Sequence, residues 1–129
     1  MSANQLDVIY VDDEEDIREV ALMSLEDVGG LSVEAFSSAQ SLLDAGPPPP
    51  DVFLLDVMMP GMNGVELLKR LRASPVYQSV PAIFMTAKAH PAEVESLIGA
   101  GAIGVICKPF DPMTLADEVR GLMDSHERH

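Results

Sequence analysis

Cysteine, basic residues and long apolar runs are all scarce in this chain of 129 residues. The one cysteine, Cys107, cannot form a disulfide within the chain, which suits a reducing compartment. Eight basic residues stand against 21 acidic ones, and the formal net charge of −13 opposes binding to phosphate backbones. No apolar run is long enough to cross a bilayer, and residues 1–7 carry no signal peptide pattern. We therefore expect a cytoplasmic protein that contacts neither nucleic acid nor membrane.

Apolar residues, by contrast, make up 47 % of the chain, enough for one packed core at this length. We predict a single domain over residues 1–129, with its core at about 6–123 and a tail at 124–129. Pro47–Pro50 is a low-complexity stretch that we interpret as a stiff loop. No internal repeat or domain boundary is visible.

Five short apolar runs alternate with helical patterns. Because each run is apolar at nearly every position, the runs predict strands that are covered on both faces. A βαβ alternation of this kind predicts an α/β fold with a parallel sheet and helices on both sides. Ser37 with Gln40 is typical of a capping box for the second helix, and Asp111 with Pro112 predicts the start of the fifth. The runs are Val8–Val11, Ser32–Phe36 (the weakest), Val52–Leu55, Ala82–Met85 and Ile103–Cys107.

Polar residues follow four of these runs, at the point where each strand should end. They are Asp12 and Asp13, Asp56, Thr86 and Lys108. In an open α/β sheet, ligands bind beyond the carboxyl ends of the strands, so these side chains should converge. Three close carboxylates repel one another, and a hard cation such as Mg²⁺ removes that conflict. One carboxylate can then act as a nucleophile toward phosphorus, with the lysine and threonine complementing the phosphoryl oxygens.

At these residues the sequence resembles the receiver domain of bacterial two-component response regulators, most like the single-domain chemotaxis type. The resemblance extends from about Leu6 to Met123 and is specific because four motifs occur in the same order and at similar spacing. They are Val11-Asp12-Asp13, Asp56-Val57-Met58-Met59-Pro60-Gly61-Met62-Asn63-Gly64, Met85-Thr86-Ala87 and Lys108-Pro109-Phe110.

The resemblance implies a flavodoxin-like, doubly wound, five-stranded parallel sheet of order 2-1-3-4-5 with five helices. It implies that Asp56 is the phosphoacceptor and that Asp13 and Asp56 bind Mg²⁺ directly. Asp12 would act through water, and the backbone carbonyl of Met58 would complete the protein's ligands.

The same resemblance assigns the remaining residues around the phosphoryl group. Lys108 would contact the phosphoryl group, Thr86 with Ala87 would form the switch, and the bond before Pro109 would be cis. Met58 and Lys88 occupy positions that tune the phosphoryl lifetime. Val105 stands where receivers commonly carry the aromatic residue of the switch.

The implied function is that of a stand-alone receiver. A histidine kinase or histidine phosphotransfer protein would phosphorylate Asp56, and the modified domain would bind an unknown downstream protein. On this interpretation the protein is not an enzyme, although it takes part in its own phosphoryl transfer and slow autodephosphorylation.

Other interpretations stay open at the level of the sequence. A haloacid-dehalogenase-type phosphatase needs an aspartate where Met58 stands, and a flavin carrier needs a phosphate-binding loop where the acidic Asp12–Glu15 lies. A receiver-like docking module that is never phosphorylated is a third. Asp12 and Asp13 also suit the entry to an acidic first helical turn, and Cys107 suits a buried position.

Overall fold

The computed structural model describes residues 6–127 as one parallel sheet with helices on both faces. The strands are β1 Asp7–Val11, β2 Ser32–Phe36, β3 Val52–Asp56, β4 Ala82–Thr86 and β5 Gly104–Cys107. The helices are α1 Glu15–Met23, α2 Ala39–Ala45, α3 Gly64–Arg72, α4 Pro91–Gly99 and α5 Leu115–Glu127. The strand order β2-β1-β3-β4-β5 confirms the predicted flavodoxin-like fold. None of the helices within residues 6–127 is both long and apolar enough to span a membrane.

Alternate residues of each strand pack into two separate hydrophobic layers, because successive side chains of a strand point to opposite faces of the sheet. Phe53, Leu55 and Phe84 pack with α2, α3 and α4 on one face. Tyr10 and Leu54 pack with α1 and α5 on the other face. β3 and β4 are buried along their whole length, as the uninterrupted apolar runs predicted.

The helical path of α1 continues beyond the end of its α-helical hydrogen bonding at Met23. A π-helical segment, Ser24–Val28, continues it toward β2. The Ser24 hydroxyl donates to the carbonyl of Pro112, and the Arg120 guanidinium donates to the carbonyl of Gly29. The first bond ties the π-helical segment to the turn before α5, and the second ties the residue after that segment to α5 itself.

Two helix starts differ from the predictions. The capping box of α2 is formed by Ser38 with Ser41, because the Ser38 Oγ accepts the Ser41 amide at 3.0 Å; Gln40 instead donates to Asp44. The Asp111 side chain does accept an amide, that of Met113 at 2.8 Å. That bond closes a turn over residues 112–114, however, and α5 begins only at Leu115.

Two further features are the end of α5 and the environment of the cysteine. Helix α5 continues to Glu127 and so enters the segment predicted as a tail, 124–129, while Met123 is the last buried residue described; residues 128–129 lie outside the described range. The last turn of α5 contains no glycine or proline, and exposure of its side chains does not by itself end a helix. Cys107 is exposed because β5 is an edge strand, so the prediction of a buried cysteine was wrong.

Candidate functional site

The parallel register brings the ends of the strands to one edge of the sheet. Val11 of β1 lies beside Leu55, the residue before Asp56. The Lys108 amide donates to the Thr86 carbonyl at 2.8 Å, which extends the β4–β5 ladder by one residue. The polar residues that follow the strands therefore gather at this edge.

Three carboxylates form the centre of the site. Side-chain oxygens of Asp12, Asp13 and Asp56 all lie within 4.8 Å of one another, and Asp12 and Asp56 are buried. Asp13 Oδ1 and Asp56 Oδ2 are buried and have no hydrogen-bond partner among the described residues. Because buried polar atoms nearly always have a partner, two such oxygens in one acidic group suit a ligand of opposite charge. Hard cations such as Mg²⁺ prefer this donor set.

The ammonium group of Lys108 bridges the carboxylates. Its Nζ lies 2.9 Å from Asp12 Oδ2, 3.1 Å from Asp56 Oδ1 and 3.8 Å from Glu14 Oε1. Burial alone would lower the pKa of Lys108, but the hydrogen bond and charge of Asp12, with those of Asp56, raise it overall. The lysine is therefore a fixed positive charge between two buried acids.

Asp56 titrates unusually high for an aspartate. Burial, together with the negative charge of Asp12, raises the pKa of Asp56 from 3.8 to about 6, against the opposing effect of Lys108. The carboxylate is thus mainly ionised above about pH 6, the form in which a carboxylate acts as a nucleophile. A further cation beside it would favour ionisation.

The hydroxyl of Thr86 is engaged with the loop that follows β4. Thr86 is buried, and its Oγ1 accepts the backbone amide of Lys88 at 3.1 Å. Ala87 and Lys88 are themselves exposed. A bond from the loop to a side chain at the sheet edge gives the loop a direct link to the site.

The remaining predicted site residues are Pro109, Met58 and Val105, and none of them belongs to the group of three carboxylates. The peptide bond between Lys108 and Pro109 is cis. Met58 follows Asp56 by two residues, and its side chain is 69 % exposed. Val105 is half-buried and packs against the layer that holds α2, α3 and α4.

Two side-chain contacts to Asp12 were not predicted from the sequence. The Tyr10 hydroxyl donates to Asp12 Oδ2 at 2.7 Å, and the Arg18 guanidinium donates to the Asp12 carbonyl at 2.8 Å. The Glu14 amide donates to Asp12 Oδ1 at 3.0 Å, so Asp12 also serves the entry to α1. Strand periodicity was the available signal for Tyr10, since residues two apart on a strand share a face.

Comparison with known proteins agrees with this geometry. The family model described as "Response regulator receiver domain" matches residues 8–120. The chain belongs to this family. Its members are phosphoacceptor domains of two-component signalling, which interact with histidine kinases and downstream effectors. Membership in the receiver family argues against two alternatives left open by the sequence, the haloacid-dehalogenase-type phosphatase and the flavin carrier.

Two curated relatives and one solved structure illustrate the similarity. The transcriptional regulatory protein CseB of Streptomyces coelicolor is 36 % identical over 122 residues, which are 94 % of this chain and 50 % of CseB. The phosphate regulon transcriptional regulatory protein PhoB of Escherichia coli is 31 % identical over 116 residues, 90 % of this chain and 51 % of PhoB. The chain thus spans about half the length of these relatives.

The chemotaxis protein CheY4 of Vibrio cholerae has the same fold over nearly its whole length. Its structure superimposes with a TM-score of 0.82 at 31 % identity and covers 92 % of this chain and 98 % of CheY4.

Proposed function

We propose that Asp56 accepts a phosphoryl group from a phosphohistidine of a histidine kinase or phosphotransfer protein. The observation that carries the proposal is the contrast between the two oxygens of this buried carboxylate. Oδ1 lies 3.1 Å from the Lys108 ammonium, whereas Oδ2 has no hydrogen-bond partner within residues 6–127. An ionised oxygen at a strand end, beside a fixed positive charge, suits attack on phosphorus.

In the proposed transfer, a carboxylate oxygen of Asp56 forms a P–O bond while the P–N bond of the phosphohistidine breaks. The imidazole leaves with the electron pair of that bond and takes a proton from solvent. Lys108, which already reaches the carboxylate, would donate to a phosphoryl oxygen. Hydrolysis would later return the carboxylate and release inorganic phosphate.

Mg²⁺ is the cofactor that the donor set fits. Asp13 and Asp56 would bind it directly through carboxylate oxygens, with Asp12 acting through water and the Met58 carbonyl as a further ligand. When bound, the cation would neutralise charge on the carboxylates and the phosphoryl oxygens. We expect Asp13→Ala to weaken Mg²⁺ binding more than Asp12→Ala, because a direct ligand contributes more than one acting through water.

The loop after β4 would carry the switch. Thr86 would turn its hydroxyl toward the phosphoryl group, and Ala87–His90 would follow because Thr86 Oγ1 holds the Lys88 amide. Val105, which is stiff at χ1, would stay in place in its packing layer. A downstream protein would bind the rearranged loop.

The domain would pass its signal to a protein partner and not contact DNA itself, because its net charge is −13. The exchange with a kinase would take place in the cytoplasm. Its relatives CseB and PhoB are transcriptional regulatory proteins by name, about twice as long as the matched segment.

Treatment with acetyl phosphate and Mg²⁺, followed by intact mass measurement, tests the proposal. We expect one added phosphoryl group on the wild type, none on Asp56→Asn, and normal labelling of Asp51→Asn, which removes an exposed carboxylate before β3. Chelation of Mg²⁺ should prevent labelling. Undiminished labelling of Asp56→Asn would contradict the assignment, and an unlabelled wild type would favour a docking module.

A further inference from the structure

We propose that Tyr10 is a positioning residue of the phosphoacceptor site, acting through Asp12. The inference rests on the proposed function, because it concerns how the same site is held ready. It starts from a buried hydroxyl group that the phosphoryl transfer itself does not use.

The Tyr10 hydroxyl contacts Asp12 from the hydrophobic layer that the sheet shares with α1 and α5. Its side chain is fully buried in the layer shared with α1 and α5, and its hydroxyl lies 2.7 Å from Asp12 Oδ2. A carboxylate oxygen can only accept a hydrogen bond, so the contact fixes the direction of donation from the Tyr10 hydroxyl to Asp12.

Asp12 differs from its two acidic neighbours in being fully satisfied. Its Oδ1 accepts the Glu14 amide at 3.0 Å, and its Oδ2 accepts both the Tyr10 hydroxyl and the Lys108 ammonium. Asp13 Oδ1 and Asp56 Oδ2 have no hydrogen-bond partner in the part of the chain that the structure describes. Donors on three sides thus fix the orientation of the Asp12 carboxylate, while an oxygen of each neighbour is left to bind a ligand.

The shared oxygen couples Tyr10 to the lysine. Lys108 holds Asp12 and Asp56 together, and turning its ammonium toward a phosphoryl group on Asp56 would weaken its contact with Asp12. Leaving a buried carboxylate oxygen without a donor is strongly unfavourable. With Tyr10 present, Asp12 Oδ2 keeps a charge-assisted hydrogen bond when the ammonium moves away. Without the hydroxyl, Asp12 would retain the lysine, and its carboxylate would lose one of the three donors that orient it.

Tyr10→Phe removes only the hydroxyl and leaves the buried ring. We expect it to lower the rate of phosphorylation by acetyl phosphate at saturating Mg²⁺ about tenfold, the scale typical of residues that orient a ligand. We also expect it to weaken Mg²⁺ binding several-fold in calorimetry without a phosphodonor, since Asp12 acts on the same cation.

Tyr77→Phe is the matched control. Tyr77 is also a buried tyrosine, and its hydroxyl donates to the carbonyl of Pro47, which precedes β3 and lies away from the end that carries Asp56. A merely structural hydroxyl would give both variants similar losses of melting temperature and no change at the site. We expect Tyr77→Phe to keep the wild-type phosphorylation rate and Mg²⁺ affinity.

A double-mutant comparison then tests the route of action. If Tyr10 acts through Asp12, Tyr10→Phe has no further effect in an Asp12→Ala background. The inference is overturned if Tyr10→Phe matches Tyr77→Phe in both site measurements, or if its effect persists in that background. A wild type that is never labelled would refute the proposed function alone, because the Mg²⁺ titrations would still decide the role of Tyr10.

Discussion

Replacing the phosphoacceptor by its amide should make the metal-free protein more stable at neutral pH. Asp56 is a buried carboxylate beside Asp12, and the nearby Lys108 only partly compensates for its charge. Asp56→Asn keeps the shape of the side chain and removes the charge. The substitution should therefore abolish phosphorylation while it stabilises the fold.

The size of the effect follows from the two pKa values of Asp56. The carboxylate ionises near 3.8 in the unfolded chain and near 6 in the fold. Between these pH values the folded protein binds a proton that the unfolded chain has released, so the free energy of unfolding falls as pH rises. A difference of about two pKa units corresponds to about 3 kcal/mol, fully lost above about pH 6. For a domain of this size that is roughly 10 °C in Tm.

Thermal unfolding in the presence of EDTA, from about pH 4 to pH 8, measures this difference. Asp56→Asn should exceed the wild type by about 3 kcal/mol near pH 7.5 and approach it near pH 4. Asp124→Asn, which removes the same charge from an exposed position in α5, should track the wild type throughout. If the two variants behave alike at pH 7.5, or if the advantage of Asp56→Asn persists at pH 4, the reasoning from burial is wrong.

Three further substitutions, one of them with a matched control in α5, test the surroundings of Asp56. Lys108→Ala should lower the free energy of unfolding by about 3 kcal/mol in the absence of metal, because it leaves buried carboxylates without a compensating charge. Added Mg²⁺ should then stabilise this variant more than it stabilises the wild type. An unchanged denaturation midpoint would contradict the prediction. Gly64→Ala should destabilise the fold by about 2 kcal/mol, because the new Cβ would lie 2.4 Å from the Asp56 carbonyl oxygen. In the control Gly121→Ala, in α5, the new Cβ has no described atom within 4 Å, so this variant should stabilise the fold by about 0.5–1 kcal/mol. Lys88→Ala should shorten the phosphoryl lifetime in a decay assay, because Lys88 would shield the anion from water; equal lifetimes would refute that role.

Much of the fold was predictable because its signals are local. Runs that are apolar at every position require burial on both faces, and alternation with helical patterns then leaves a parallel sheet as the consistent arrangement. The details that failed depended on choices between near-equivalent neighbours. Ser37 and Ser38 are both good capping residues, and backbone geometry selected Ser38. Nor does any local signal state that β5 lies at the edge of the sheet, where Cys107 is exposed.

The sequence by itself determined which residue types stand at the strand ends, and hence the acidic group with its lysine. Only the tertiary structure decided how these residues divide their contacts. Asp12 is satisfied by donors from β1, the start of α1 and the residue after β5, whereas Asp13 and Asp56 each keep a buried oxygen that has no hydrogen-bond partner in the described range. The physical reason is that the partners come from segments as far apart in the chain as Asp12 and Lys108, and only folding sets their distances.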